Sequence, residues 1–367
     1  MTTLVRLRVP SEVPPGPPVA SRELLVDRNQ RRVRYLRMSL TDRCSMRCTY
    51  CMPSEGIEHV RRSEVLSLEE VVAVARSFAA WGVERVRLTG GEPTLRRNLP
   101  WLVEALAAIE VGADFSERPG QRLQVVMTSN GELLAPMIGS LRDAGLAGLS
   151  ISLDSLDPAR FAAITRRDRL DAVVAGVDAA AAAGYGGGKL KINTVAVRGF
   201  NDDEVGRLCE FAWAREATPR FIELMPMAGG RLFVPGELMP AAQIRERVRE
   251  HVGGELEAQG RPTAAVGPAH YWRVQGGPHD GRGFGVIAAM TENFCDSCNR
   301  LRVSATGQLH ACLARDDSGD LRAALRSGGP EALATVVAAA LGQKRDTHDF
   351  AIDGRGGPNK AMISIGG

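Results

Sequence analysis

Three cysteines, Cys44, Cys48 and Cys51, stand in the run Cys44-Ser-Met-Arg-Cys48-Thr-Tyr-Cys51, separated by three and then two residues. In a loop, that spacing lets all three sulfurs turn toward one point. Three thiolates do not fill a tetrahedral metal site, so one position stays open, and an open position on a metal is where chemistry happens. Zinc usually takes its ligands in two pairs. A four-iron four-sulfur cluster needs thiolates on three irons and can leave the fourth iron free.

A second set, Cys295-Asp-Ser-Cys298 with Cys312, again offers three thiolates. With His310 as a fourth ligand it would be an ordinary Cys₃His zinc site. Between its cysteines runs Asn299-Arg300-Leu301-Arg302, an alternating strand that puts both arginines on one face beside the metal. The guanidinium fork suits phosphate or carboxylate, an anion site that a purely structural zinc does not need. Six of the seven cysteines fall in these two sets, and no signal core precedes them, which reads as metal ligation rather than disulfides. The seventh, Cys209, shares an apolar helical face with Leu208 and Phe211 and reads as a core thiol.

Alternating strands and helices must position these loops. Strands are expected at Val33 to Leu40, Val83 to Leu88, Leu123 to Met127, Leu149 to Leu153, Leu190 to Val197 and Arg220 to Leu224. Helical stretches lie between them, the first opened by a Ser67/Glu70 capping box and stopped at Gly82. Six alternations predict an α/β fold, a partial (β/α)6 TIM-like barrel with its active site at the C-terminal strand ends. The first cysteine loop, Thr89-Gly90-Gly91-Glu92-Pro93, Ser129-Asn130-Gly131 and Ser152-Leu153-Asp154 all fall at that rim. Residues 1–30, with Pro14-Pro15-Gly16-Pro17-Pro18, are expected to form a disordered extension and 31–225 the barrel. Residues 226–367 are expected to form a subdomain over the barrel mouth.

Composition narrows the function. Residues 1–37 carry eight arginines and three acids, which leaves the rest of the chain at about −2 and argues against a nucleic-acid-binding body. No run of 18 apolar residues suggests a membrane span, and the cytoplasm is the expected compartment.

The three-and-two cysteine spacing, with Tyr50 before the last cysteine and a barrel strand before the loop, resembles the radical S-adenosylmethionine (SAM) superfamily. In that superfamily the open iron chelates SAM, whose reductive cleavage yields a 5'-deoxyadenosyl radical. The run Phe-Cys-Asp-Ser-Cys-Asn-Arg-Leu-Arg ending at Arg302, the later Cys312 and the terminal Ile365-Gly366-Gly367 resemble its GTP 3',8-cyclase branch, from molybdenum cofactor biosynthesis. The likeness runs from about Leu36 to the last residue. It implies a four-iron four-sulfur cluster on Cys44, Cys48 and Cys51 and a second, on Cys295, Cys298 and Cys312, that binds the substrate's purine. It further implies SAM contacts at Tyr50, Gly91, Ser152 and Met225. GTP contacts are implied at Arg37, Arg87, Thr128, Lys191, Arg220, Arg300 and Arg302, with Arg37, Gly366 and Gly367 in catalysis.

The implied reaction abstracts the 3' hydrogen of GTP and joins C3' to guanine C8. Its implied partners are GTP, an electron donor, a downstream cyclic pyranopterin monophosphate synthase and, potentially, a second copy of the chain. Ser45-Met46 and Met127 depart from the family pattern at positions that are not ligands. The rival readings are another two-cluster radical SAM enzyme and a non-catalytic zinc-binding module.

Overall fold

The computed structural model describes residues 24–112, 120–261 and 267–366. Six parallel strands lie side by side in chain order: β1 (Tyr35–Ser39), β2 (Arg85–Thr89), β3 (Gln124–Ser129), β4 (Gly148–Ser152), β5 (Leu190–Ala196) and β6 (Thr218–Glu223). The crossovers carry α1 (Leu68–Ala80), α2 (Leu99–Ala107), α3 (Ile138–Asp143), α4 (Pro158–Thr165), α5 (Leu170–Ala180) and α6 (Val205–Trp213). The expected capping box starts α1: Ser67 Oγ accepts from the Glu70 amide at 3.1 Å, and the Glu70 carboxylate accepts from the Ser67 amide at 2.8 Å. Helix α4 is additional to the expected pattern. Its signal is Asp157-Pro158, where the aspartate caps the Arg160 amide at 2.9 Å and proline takes the first turn.

The C-terminal segment adds α7 (Ala241–Val252), β7 (Glu255–Gly260), β8 (His270–Gln275), β9 (Gly283–Ile287), β10 (Arg300–Val303), β11 (Gln308–His310), β12 (Gly319–Asp320) and α8 (Leu321–Gly342). It enters the sheet at both edges. Strand β10 pairs parallel with β1, and β9 pairs parallel with β6. The order β12-β11-β10-β1-β2-β3-β4-β5-β6-β9-β8-β7 is an open, twelve-stranded partial barrel. Gly329, at φ 62°, breaks α8 into two shorter helical stretches.

Alternation along the strands separates two environments. Leu36, Met38, Val86, Leu88, Val125, Met127, Leu149 and Ile151 pack with Phe78 and Leu102 from the helices in one core. The opposite faces carry Tyr35, Arg37, Arg87, Thr128, Ser150, Ser152, Asn193 and Arg220 toward the barrel interior.

Residues 24–30, assigned above to a disordered extension, are folded. Leu25 is 2% exposed, its carbonyl accepts from the Val33 amide at 2.8 Å, and Asp27 is buried. The apolar side chain of Leu25 and the ion pair between Asp27 and Arg31 hold them against the body. The proline-rich stretch and the rest of 1–23 lie outside the described residues, as does Gly367. No helix among the described residues is long and apolar enough to cross a membrane.

Candidate active site

One cavity occupies the barrel mouth. Tyr50, Ser152 and Met225, assigned above to SAM, line it together with Arg37, Arg87, Thr128, Arg220, Arg300 and Arg302, assigned to GTP. Residues flanking both cysteine sets reach the same space: Tyr50 next to Cys51, Phe294 next to Cys295, and Leu313 next to Cys312.

Strand register gathers the cations. Arg302, Arg37 and Arg87 are Cα partners across β10, β1 and β2, so three guanidinium groups share one row. Burial first, and then its neighbour Arg302, holds Arg37 well below the usual arginine range. Burial and Arg300 pull Arg302 down to about 10. A desolvated row of like charges is destabilising when empty and is relieved by a polyanion.

Arg87 donates to Thr128 Oγ1 at 2.9 Å, to Ser150 Oγ at 3.0 Å and to the Tyr35 hydroxyl. Arg220 reaches the same Ser150 Oγ at 2.9 Å and Asn193 Oδ1 at 2.7 Å. Tyr35, Ser150 and Asn193 were not among the expected site residues. Their signal is strand alternation, since each stands two residues from a residue singled out above.

Lys191 is placed differently. It opens into an adjoining pocket with Tyr271 and Trp213, and its Nζ donates to the Gly188 carbonyl. Because it is the second residue of β5, it lies toward the strand's N-terminal end, one alternation below Asn193, rather than at the C-terminal rim. Burial, then Arg220 and Arg87, lowers its ammonium to about 7.

The rim motifs lock the first cysteine loop. The Gly91 amide donates to Thr41 O at 2.7 Å, and a Cβ on Gly91 would stand 2.1 Å from Arg43 O, so only glycine fits between the turn and the loop. Gly91 therefore backs the loop and is absent from the residues lining the cavity. The buried Glu92 carboxylate accepts from Thr94 N, Thr94 Oγ1, Ser129 Oγ and Asn130 N at 2.7–3.0 Å. Asn130 Nδ2 passes the connection on to Ser45 Oγ at 3.0 Å. On the other side, Arg166 and Arg167 donate to the carbonyls of Arg47 and Ser45.

The C-terminal tail closes the mouth. Ala361 and Ile363 pack against Met52, Cys44 and Cys51, and Met362 lines the cavity. Gly366 O accepts from Arg302 Nη1 at 2.9 Å.

All seven cysteines are free thiols. Burial pushes the Cys44 thiol up to about 11, Cys51 up to about 12 and Cys48 well above its ordinary value. Burial acts in the same direction on Cys298, but Arg300 and Lys344 overcome it and bring that thiol to about 6. Among the described residues, no three His, Cys, Asp or Glu side chains converge as the ligands of a single ion would. A four-iron cluster takes each thiolate on a separate iron, so its ligand sulfurs stand wider apart. Cys51 and Cys44 lie near enough to Cys48 to raise its thiol, and Cys298 and Cys312 do the same to Cys295, so each set gathers the three thiolates that such a cluster needs. His310, the candidate fourth zinc ligand, is buried with Nδ1 3.1 Å from the Asp317 carbonyl.

An open β/α barrel with a three-cysteine loop after its first strand is the architecture of radical SAM enzymes. Residues 38–212 match the family described as the Radical SAM superfamily, and residues 217–350 match Molybdenum Cofactor Synthesis C. The chain is 39% identical to a GTP 3',8-cyclase of Nitrobacter hamburgensis, over 91% of this chain and 93% of that one. It is 42% identical to that of Ectopseudomonas mendocina, over 90% and 94%, and 38% identical to that of Pelotomaculum thermopropionicum, over 93% and 99%. The chain belongs to the GTP 3',8-cyclase family of the radical SAM superfamily.

Proposed function

We propose that the chain converts GTP to (8S)-3',8-cyclo-7,8-dihydroguanosine 5'-triphosphate for molybdenum cofactor biosynthesis. The observation that carries this reading is the single cavity bounded by neighbours of both cysteine sets and floored by a row of arginines. Cys44, Cys48 and Cys51 would hold one four-iron four-sulfur cluster, and Cys295, Cys298 and Cys312 the other. The first cluster would supply the electron that cleaves bound SAM to methionine and the 5'-deoxyadenosyl radical, which takes the 3' hydrogen.

The protein's own residues orient and shield. Tyr50, Ser152 and Met225 would bracket SAM beside the first loop, and Gly91 would fix that loop from behind. Arg37, Arg87, Arg220, Arg300 and Arg302 would neutralise the triphosphate's roughly four charges in a desolvated pocket, with Lys191 below them. Thr128 would position the same group. The tail from Ala361 to Gly366 would exclude water while a carbon radical exists. The product would pass to a separate synthase, and an electron donor would reduce the first cluster, in the cytoplasm.

Anaerobic loading of the protein followed by SAM, GTP and a reductant tests the reading. About eight irons per chain and GTP-dependent deoxyadenosine with a cyclised nucleotide are expected. Deoxyadenosine formed equally without GTP would remove the substrate assignment, and about two zincs with no iron would favour the structural module.

A further inference from the structure

The second cysteine loop is gripped from behind by two buried cations drawn from opposite ends of the chain. Arg31, 8% exposed, donates Nη1 to the carbonyls of Cys295 at 2.7 Å and Asp346 at 3.0 Å, and Nη2 to the Arg345 carbonyl at 2.7 Å. Its Nε donates to Asp27 Oδ2 at 2.7 Å, and Asp27 Oδ1 accepts from the Asn29 and Arg31 amides. Lys344, 3% exposed, donates Nζ to the carbonyls of Cys298 and Arg300, each at 3.2 Å. Each cysteine of the Cys295-Cys298 pair therefore has its own carbonyl held by one charged group.

We propose that Arg31 and Lys344 are positioning residues that set the Cys295–Cys298 turn for its iron–sulfur cluster before the cluster arrives. This rests on reading the second cysteine set as cluster ligands. Burying two cations is unfavourable, and apolar residues of similar volume would fill the space at least as well if packing were the need. What an apolar residue cannot do is aim several donors at fixed carbonyls. The guanidinium fork spans three carbonyls from two distant segments and ties the turn to the stretch after α8. Lys344 fixes the other end of the turn, at the point where β10 starts toward the arginine row. Turn, strand and arginines are thus one rigid unit, and the N-terminal segment contributes to it through Asp27 and Arg31.

The test compares the full chain with a Lys344→Met variant and an Asp27→Leu/Arg31→Met double variant, which strands no buried carboxylate. In metal-free protein, hydrogen exchange of residues 293–300 should rise at least tenfold while β2 to β4 are unchanged. After anaerobic loading, iron should fall from about eight to about four per chain, and the remaining cluster should still change its electron paramagnetic resonance signal on adding SAM. Unchanged exchange with full iron overturns the proposal. So does exchange that rises across the whole barrel with equal loss from both sites, since that marks a general support of the fold. If the double variant does not fold, Lys344→Met carries both readouts. Iron absent from the unsubstituted protein would fail the cluster reading instead, and the metal-free exchange would still judge the clamp.

Discussion

The Tyr50 hydroxyl donates to Asp154 Oδ2 at 2.7 Å, joining the residue before Cys51 to the loop that follows β4. Asp154 Oδ1 accepts from the Val195 amide at 2.8 Å, and its backbone carbonyl accepts from Asn201 Nδ2 at 2.7 Å. A carboxylate that reaches two strand ends thereby fixes the ring of an expected SAM contact.

Asp154 makes stability depend on pH in a defined window. Burial raises its carboxyl from 3.8 to about 6, against the pull of the Val195 and Tyr50 hydrogen bonds. A folded-state value above the unfolded one means that the contribution is fully present below about pH 3.8 and is lost as pH rises through about 6. That difference corresponds to about 3 kcal/mol. Asp154→Asn does not titrate, so urea melts at several pH values should show wild-type stability falling relative to the variant between pH 4 and 6, then running parallel. A constant difference across that range would refute the assignment.

Ser150 is fully buried, and its one hydroxyl serves two cations, accepting from Arg87 and from Arg220. Ser150→Ala leaves both guanidinium groups short of a partner, at about 1–3 kcal/mol. The expected result is a lower Tm and a KM for GTP raised about tenfold, with kcat less affected because the reacting carbons are not touched. An unchanged KM would detach the pair from substrate binding.

Much of this arrangement was legible in the sequence because strand-helix alternation and cysteine spacing are local patterns. The six central strands and both cysteine sets are of that kind. The placement of β10 beside β1 is not, since nothing near Arg300 states that it will align with Tyr35. Side-chain partners are equally non-local: Asp154 was visible as a rim motif, but its bond to Tyr50 spans 104 positions. Arg31 was hidden differently. It stands one residue past the stretch expected to be disordered and carries no local pattern of its own, and only the fold reveals its grip on Cys295. Lys191 marks a further limit, since residue type does not state height along a strand, and the fold sets it toward the N-terminal end of β5.

Glu92 accepts four hydrogen bonds, and an amide in its place would turn a donor toward donors. Glu92→Gln should cost about 1–3 kcal/mol. Through Asn130 and Ser45 it should loosen the first cysteine loop, so iron analysis should show the first site depleted and the second retained. Retention of both would make Glu92 a support for β3 alone.

Gly366 lies in the left-handed region at φ 72°, and a Cβ there would meet Thr89 Oγ1 at 2.8 Å and Ser39 Cβ at 3.2 Å. Alanine is thus penalised by about 1–2 kcal/mol for conformation, and further by contact with two strand ends that do not yield. The relief available is to lift the tail, which removes the Gly366 carbonyl from Arg302. The residues that pack on the first cysteine loop, Ala361 and Ile363, lie upstream and stay in place. Gly366→Ala should therefore keep full iron and keep cleaving SAM while losing cyclisation, so that deoxyadenosine accumulates without cyclised nucleotide. Loss of iron along with activity would instead assign the tail tip to holding the first loop.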